Sequence, residues 1–449
     1  MAIELVIFLG IIFYLFRADK YNLIKAFILL LPFHLFIKNT LFYYYGGGAI
    51  FAFWKEIAVI LLIIKVLKTE KLTLNKNLFI LIVFFIFTTL SYYLLAKNYG
   101  DALAKLRDHV FTILLFLAVY KCPINQEKIK GFLLTFTVTA FLSCIGGLLQ
   151  QFFFNTFIST LKGSIDFIDE SGYVQYRTVS ARIMGFERMS GLFSGPNDFG
   201  LYCSFSLCIC VYMLFSKTKI EIPSRAKVLT SITSLMLLAC LILSFSRAGW
   251  VISFITIFYL IVNKNIKFSP KIILVATVGT VVIASSVLIM IPKTFDIISA
   301  SLTGKEASAA ARSGILARGL EKISTEPFGH GLATSDNRSS SNEFFVESAF
   351  LNITYEIGII GLLCLISLHL QIIYLLKTAN NNKHSPFSSI AIGLSLASLV
   401  VSFISINPYG MPYIYLWWLI LGLGLNAVKN RSVTIRKNRH EILNYNSNI

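Results

Sequence analysis

Apolar runs of about fifteen to twenty residues recur along this chain, joined by short polar links, and this repetition restricts the fold more than any motif does. A backbone surrounded by lipid must satisfy its own hydrogen bonds, so the runs predict helices; the alternating pattern of a transmembrane barrel does not appear. Spans are expected at 2–16, 21–37, 50–67, 78–96, 106–120, 131–152, 197–216, 228–244, 247–263, 272–291, 347–376, 387–406 and 411–428. No small-residue cleavage site follows the first of them, so Ala2–Phe16 reads as a short span and not as a signal peptide. The expected class is an all-α polytopic membrane protein with about 12–13 transmembrane helices. Its segments run 1–152 (helices), 153–196 (first large loop), 197–291 (helices), 292–346 (second large loop), 347–428 (helices) and 429–449 (basic tail).

The formal net charge of +18 invites a nucleic-acid reading, but its location argues against one. Every second link, starting with 17–20, holds together with the tail 22 Lys/Arg against 5 Asp/Glu, whereas the two large loops hold 10 against 10. That asymmetry is the positive-inside pattern; it puts those links and the tail in the cytosol, the large loops outside, and requires no nucleic acid. An odd number of spans then leaves the N-terminus outside; without the first span both ends lie inside. Neither large loop contains a cysteine, so no disulfide framework is expected, and no Cys/His cluster has zinc-site spacing. No pair of matching broken segments marks an inverted-repeat transporter.

The loops carry the polar chemistry. The first mixes Asp166, Asp169, Glu170, Arg177, Arg182, Glu187 and Arg188 with Phe167, Tyr173 and Tyr176, a combination suited to sugars. It leaves through Gly195-Pro196-Asn197-Asp198, where Asn197 or Asp198 is expected to cap the next helix. In the second loop, residues 307–323 read as an amphipathic helix with Ile315, Leu316, Gly319, Leu320 and Ile323 on one face and Arg312 near its start. Pro327 ends it, and Gly329-His330-Gly331 makes a tight turn.

Arginine suits phosphate because its fork gives paired, charge-assisted hydrogen bonds. Arg188, Arg247, Arg312 and Arg318 all fall on the outer side, Arg312 among small residues that admit a ligand. For Arg247 a snorkelling helix-end charge is the alternative, and for Arg182 and Arg318 a solvated charge. Glu347, where the second loop meets a span, suits a general base, or alternatively a charge favoured by the helix dipole. His330 suits a phosphate or sugar hydroxyl, or simply a turn. Glu356, deeper in the same span, is expected to find a Lys or Arg partner. Arg107, Asp108 and His109 read as a membrane-edge cluster.

Four stretches together resemble the O-antigen ligase/polymerase family of bacterial envelope glycosyltransferases. They are Arg188-Met189-Ser190-Gly191 running into Gly195-Pro196-Asn197, then Ser246-Arg247-Ala248-Gly249. Arg312-Ser313-Gly314 with Pro327-Phe328-Gly329-His330-Gly331 is the third, and Glu347-Ser348-Ala349-Phe350-Leu351-Asn352 running to Glu356-Ile357-Gly358 the last. The resemblance implies a GT-C-like architecture in the bacterial inner membrane. It also implies a donor glycan on undecaprenyl pyrophosphate, handled at the periplasmic face without metal or cofactor. In that chemistry Arg247 and Arg312 would steady the leaving pyrophosphate, and Glu347 would take the acceptor proton, with inversion at the sugar carbon. Arg188, Arg318, His330 and Asn197 would bind pyrophosphate or glycan. Ligases of this family place a histidine where this chain has Glu347, so the resemblance favours a polysaccharide polymerase, with membrane lipids and a chain-length regulator as partners. A ligase transferring polymer to lipid A-core is the alternative within the class. A lipid-linked oligosaccharide flippase and an assembly scaffold are the alternatives outside it.

Overall fold

A computed structural model of the protein describes residues 2–45, 50–70, 74–153, 165–168, 174–176, 182–183, 186–216, 222–266, 307–335, 344, 346–380 and 386–426. The expected span at 272–291 and the basic tail lie outside the described residues. The other expected spans all fall on helices. These are α1 (Ala2–Arg17), α2 (Lys20–Leu30), α3 (His34–Tyr45), α4 (Trp54–Leu67), α5 (Lys76–Leu94), α6 (Tyr99–Lys121) and α7 (Gln126–Phe152), then α8 (Pro196–Phe215), α9 (Ser224–Ser244) and α10 (Arg247–Val262). The C-terminal part contains α11 (Ala307–Thr325), α12 (Ala349–Asn380), α13 (Pro386–Ser402) and α14 (Tyr413–Asn426). Six helical segments among the described residues are long and apolar enough to cross a membrane, and α10, α13 and α14 are shorter apolar helices. The chain is therefore an all-α polytopic membrane protein. Among the described residues the strands form two small antiparallel ribbons in the first large loop, β1 (Ile165–Ile168) with β2 (Val174–Tyr176) and β3 (Arg182–Ile183) with β4 (Phe186–Glu187), for which the sequence carries no clear signal.

Local chemistry sets the boundaries. Asp19, Asn75, Asn98 and Asn125 each accept main-chain N–H groups at a helix start. Pro32 turns the chain through a short 3-10 element between α2 and α3. Helix α6 begins at Tyr99, seven residues before the expected 106. Its first turns carry Asp101, Lys105, Arg107 and Asp108, which depress local hydropathy, while Asn98 caps the helix upstream of them. Helix α5 shows the lipid-facing pattern: Phe79, Ile80, Val83, Phe84 and Phe87 are exposed, while Leu78, Ile82 and Phe85 are buried.

Helix α1 is fastened at both ends by residues of the α4 region. The Glu4 carboxylate accepts the Ile50 and Phe51 amides at 3.0 and 3.3 Å. Lys65 Nζ donates to the Phe16 and Ala18 carbonyls at 2.8 and 2.6 Å.

Helix α8 runs buried through the bundle and meets α10 backbone to backbone. A Cβ on Gly249 would stand 2.8 Å from the Gly200 carbonyl oxygen, and Ser204 Oγ donates to the Gly249 carbonyl at 2.6 Å. Lipid offers no hydrophobic gain for bringing helices together, so small residues and interhelical hydrogen bonds carry such contacts. Gly200→Val should force α8 and α10 apart and destabilise the protein by about 1–3 kcal/mol, as overpacking does. Thermal unfolding in detergent checks this, with Gly195→Ala as the control, because a Cβ there meets nothing within 4 Å.

Candidate active site

Arg188 ties the first large loop to the elbow between α9 and α10. The α9 helix ends in Phe245, a non-glycine residue held at φ +48°. This left-handed cap turns the Ser244 and Phe245 carbonyls toward the loop. Arg188 Nε donates to the Ser244 carbonyl at 2.8 Å, and its guanidinium also donates to the Phe245 carbonyl at 3.1 Å and to Asn197 Oδ1 at 2.7 Å. The Met189 amide adds a bond to the Leu243 carbonyl at 3.0 Å. Asn197 thus serves Arg188 instead of capping α8. Gly195 is the N-cap there and Pro196 the first helical residue, where a missing N–H costs nothing. Directly after the elbow, Ser246 caps α10 by accepting the Gly249 amide, which places half-buried Arg247 in the first turn.

Glu347 lies two residues before α12 in a stretch fixed on both sides. The buried side chain of Asn352 clamps the preceding residue: its Nδ2 donates to the Val346 carbonyl at 2.7 Å and its Oδ1 accepts the Val346 amide at 3.1 Å. Beyond Glu347, Ser348 Oγ donates to the Ser402 carbonyl at 3.3 Å and the Ala349 amide to the Ser405 carbonyl at 3.3 Å. Both acceptors are at the C-terminal end of α13. Gly393 of α13 lies against Thr256 and Tyr259 of α10. Ser398, five residues on, bonds Tyr413, whose ring meets Phe205 beside Ser204 and its partner Gly249 near the start of α10, so the two helices run antiparallel. Ser402, nine residues after Gly393, is therefore level with the first turn of α10. Glu347 and Arg247 consequently stand at the same end of the bundle. Asn352 has a role that the sequence does not reveal, although it stands inside the motif.

Helix α12 is broken at Ile357 (φ −118°) and Gly358 (φ +72°), and the turn after α11 fills the break. The His330 amide donates to the Tyr355 carbonyl at 2.8 Å and the Gly331 amide to the Glu356 carbonyl at 3.1 Å. In return the Ile359 amide donates to the Pro327 carbonyl at 2.9 Å. Tyr92 of α5 donates its hydroxyl to the Phe328 carbonyl. Gly329 is held at φ +78°, and a Cβ on it would sit 2.5 Å from the Gly358 nitrogen, so the turn requires glycine for conformation and for approach alike. The His330 ring stacks on Tyr355 at 4.3 Å, and Phe344 covers the same tyrosine at 4.5 Å. His330 Nε2 is 2.9 Å from Glu326 Oε2, an ion-pair distance without hydrogen-bond alignment. The hydrogen bond from Lys322 holds the Glu326 carboxyl below the usual carboxylate range.

Arg312 lies on α11 near its start, its side chain outside the described residues, and Arg318 on the same helix is exposed. The expected amphipathic helix therefore forms, but Leu320 is 56% exposed instead of sharing the inner face. Gly319 takes the inward position, so close to Val346 that a Cβ there would come within 2.8 Å of its side chain. Arg182 falls on β3, and nothing is described of its side chain.

A second group of charges joins the N-terminal half to this end of the bundle. Lys55 pairs with Glu56 at 2.8 Å, both nearly inaccessible, and Arg107 Nε stands 3.7 Å from the same Glu56 oxygen. Tyr415 of α14 donates to Asp108 at 3.4 Å. Glu356, 2% exposed, lies 3.7 Å from Lys105 and accepts Ser335 Oγ at 2.7 Å. The expected basic partner of Glu356 is thus Lys105. Lys55 and Glu56 do not stand out in the sequence, because two charges at the head of an apolar run read as its membrane-surface edge.

No curated protein matches the chain. The family model described as O-antigen ligase matches residues 232–366, which take in the α9–α10 elbow, α11, the glycine turn and the first half of α12. This match supports the O-antigen ligase/polymerase family recognised from the motifs.

Proposed function

With a multi-pass protein of the O-antigen ligase/polymerase family as the premise, we propose that this chain is a polysaccharide polymerase of the bacterial inner membrane. It transfers the growing glycan from undecaprenyl pyrophosphate to the non-reducing end of a lipid-linked repeat unit at the periplasmic face. The observation that carries this reading is Glu347. Glu347 stands at the mouth of α12, between Val346, clamped by Asn352, and Ser348, tied to α13, at the end of the bundle where Arg247 begins α10.

Two charges develop when the sugar–phosphate bond breaks. The leaving pyrophosphate gains negative charge, which Arg247 and Arg312 offset with paired donors, and the acceptor hydroxyl loses a proton, which Glu347 accepts. Base and leaving group lie on opposite faces of the sugar in a direct displacement, so the product is inverted. Arg188 serves this site through the elbow it fastens, and His330 through the turn it stacks into.

A deletion strain carrying wild-type protein, Glu347→Gln or Arg247→Ala tests the reading on a gel of surface polysaccharide. Lipid A-core bearing a single repeat unit in both variants is the expected result. Full-length polymer retained on undecaprenyl pyrophosphate would instead identify a ligase. An unchanged ladder in both variants would remove these residues from the chemistry.

A further inference from the structure

We propose that Lys105 and Glu356 form a positioning pair that locks α12 to residues 331–335, which follow the Arg312 helix and its turn, so that the N-terminal half takes part in the site. For its activity readout the proposal rests on the polymerase reading. At the break in α12, Tyr355 and Glu356 give their carbonyls to the turn and the Ile359 amide donates to Pro327, so the main chain from Pro327 to Gly331 is fastened to α12 by main-chain bonds, with the Tyr92 hydroxyl adding one from α5. The next residues are held differently. Thr334 bonds back to Gly331 at 2.7 Å, and Ser335, the last described residue before Phe344, donates to the Glu356 carboxylate at 2.7 Å.

That carboxylate is almost wholly buried, and its charge is balanced by Lys105 of α6 at 3.7 Å. A buried carboxylate without a cation would be costly in so apolar a setting, whereas a serine hydroxyl alone could be held by a neutral acceptor. The use of a charged pair therefore points to a connection between α6 and α12, set beside Ser335 on the helix that begins two residues after Glu347. Lys105 precedes residues 232–366 in the chain, so this connection comes from outside the family match. From Glu347 to Glu356 is nine residues, about 13 Å along a helix. At that distance the pair cannot touch the group Glu347 serves, and it acts through the segment it holds.

The test compares Lys105→Met, the milder Glu356→Gln, and the exchange Lys105→Glu with Glu356→Lys, in membranes supplied with lipid-linked repeat units. Spin labels at Ser324→Cys on α11 and Leu370→Cys on the lipid side of α12 report the geometry without substrate; the native cysteines are all buried. Each single variant should lower kcat about 10- to 100-fold at nearly constant KM, the range expected for a misplaced reacting group. Each should also broaden the distance distribution, and the exchange should restore much of both. Wild-type kcat in the single variants overturns the proposal. So does a lost kcat with an unchanged distance distribution, or a lowered unfolding temperature with full turnover per folded molecule. If the distances respond as expected but Glu347→Gln polymerises normally, the pair stands and the proposed chemistry at Glu347 falls.

Discussion

Glu347→Gln is expected to lower the turnover of glycan transfer by about 10²–10⁴-fold, the usual loss when a positioned proton acceptor is removed. The amide keeps the shape of the side chain, and the groups that fix the segment act on its neighbours: Asn352 on Val346, Ser348 on α13. Folding and substrate affinity should therefore survive. The measurement is kcat and KM on a lipid-linked repeat unit in reconstituted vesicles, with the unfolding temperature alongside. Loss confined to kcat supports proton acceptance. A rise in KM alone would make Glu347 a binding residue, and near-normal turnover would place the base elsewhere.

Arg188→Ala should have the largest effect on stability, about 3 kcal/mol, because it leaves two main-chain carbonyls at the elbow without their charged donor. The loss falls on Ser244 and Phe245, at the point where Phe245 already adopts a left-handed conformation, and it frees Asn197 at the start of α8. Arg188→Lys should recover only part of this, since a single ammonium cannot reach three acceptors arranged around a planar fork. Thermal unfolding of the purified variants checks the ranking. Full stability with lost activity would instead assign Arg188 to substrate.

The helices are legible in the sequence because lipid imposes one strong rule, and apolar length reveals them even where Pro32 or Gly358 interrupts the hydrogen-bond pattern. The start of α6 is not, for the same reason: Asp101 and Lys105 look like a loop to any hydropathy reading, yet a helix tolerates Lys105 when Glu356 is nearby, as it tolerates Arg107 beside Glu56 and Asp108 beside Tyr415. Partners so far apart in the chain cannot be paired from one sequence. Arg188 and Asn197 both stand out in the sequence, but as ligand groups, whereas they bind each other and the elbow. A side chain can be recognised as suited to phosphate from its chemistry; whether the fold has already engaged it depends on carbonyls that only the folded backbone brings near. Asn352 escapes notice for a simpler reason, since a buried asparagine six residues beyond its partner has no periodic signature.

The fastening of α1 bears on how the protein is made. The groups that hold this helix, the amides of Ile50 and Phe51 and the amine of Lys65, belong to chain that is synthesised after it. At ordinary rates of translation those residues follow roughly several seconds later. Throughout that interval Glu4 has no amides to receive it, so α1 must wait at the insertion machinery or the membrane surface until α4 arrives. Helix α1 therefore leaves the ribosome before α4 but is seated only with it.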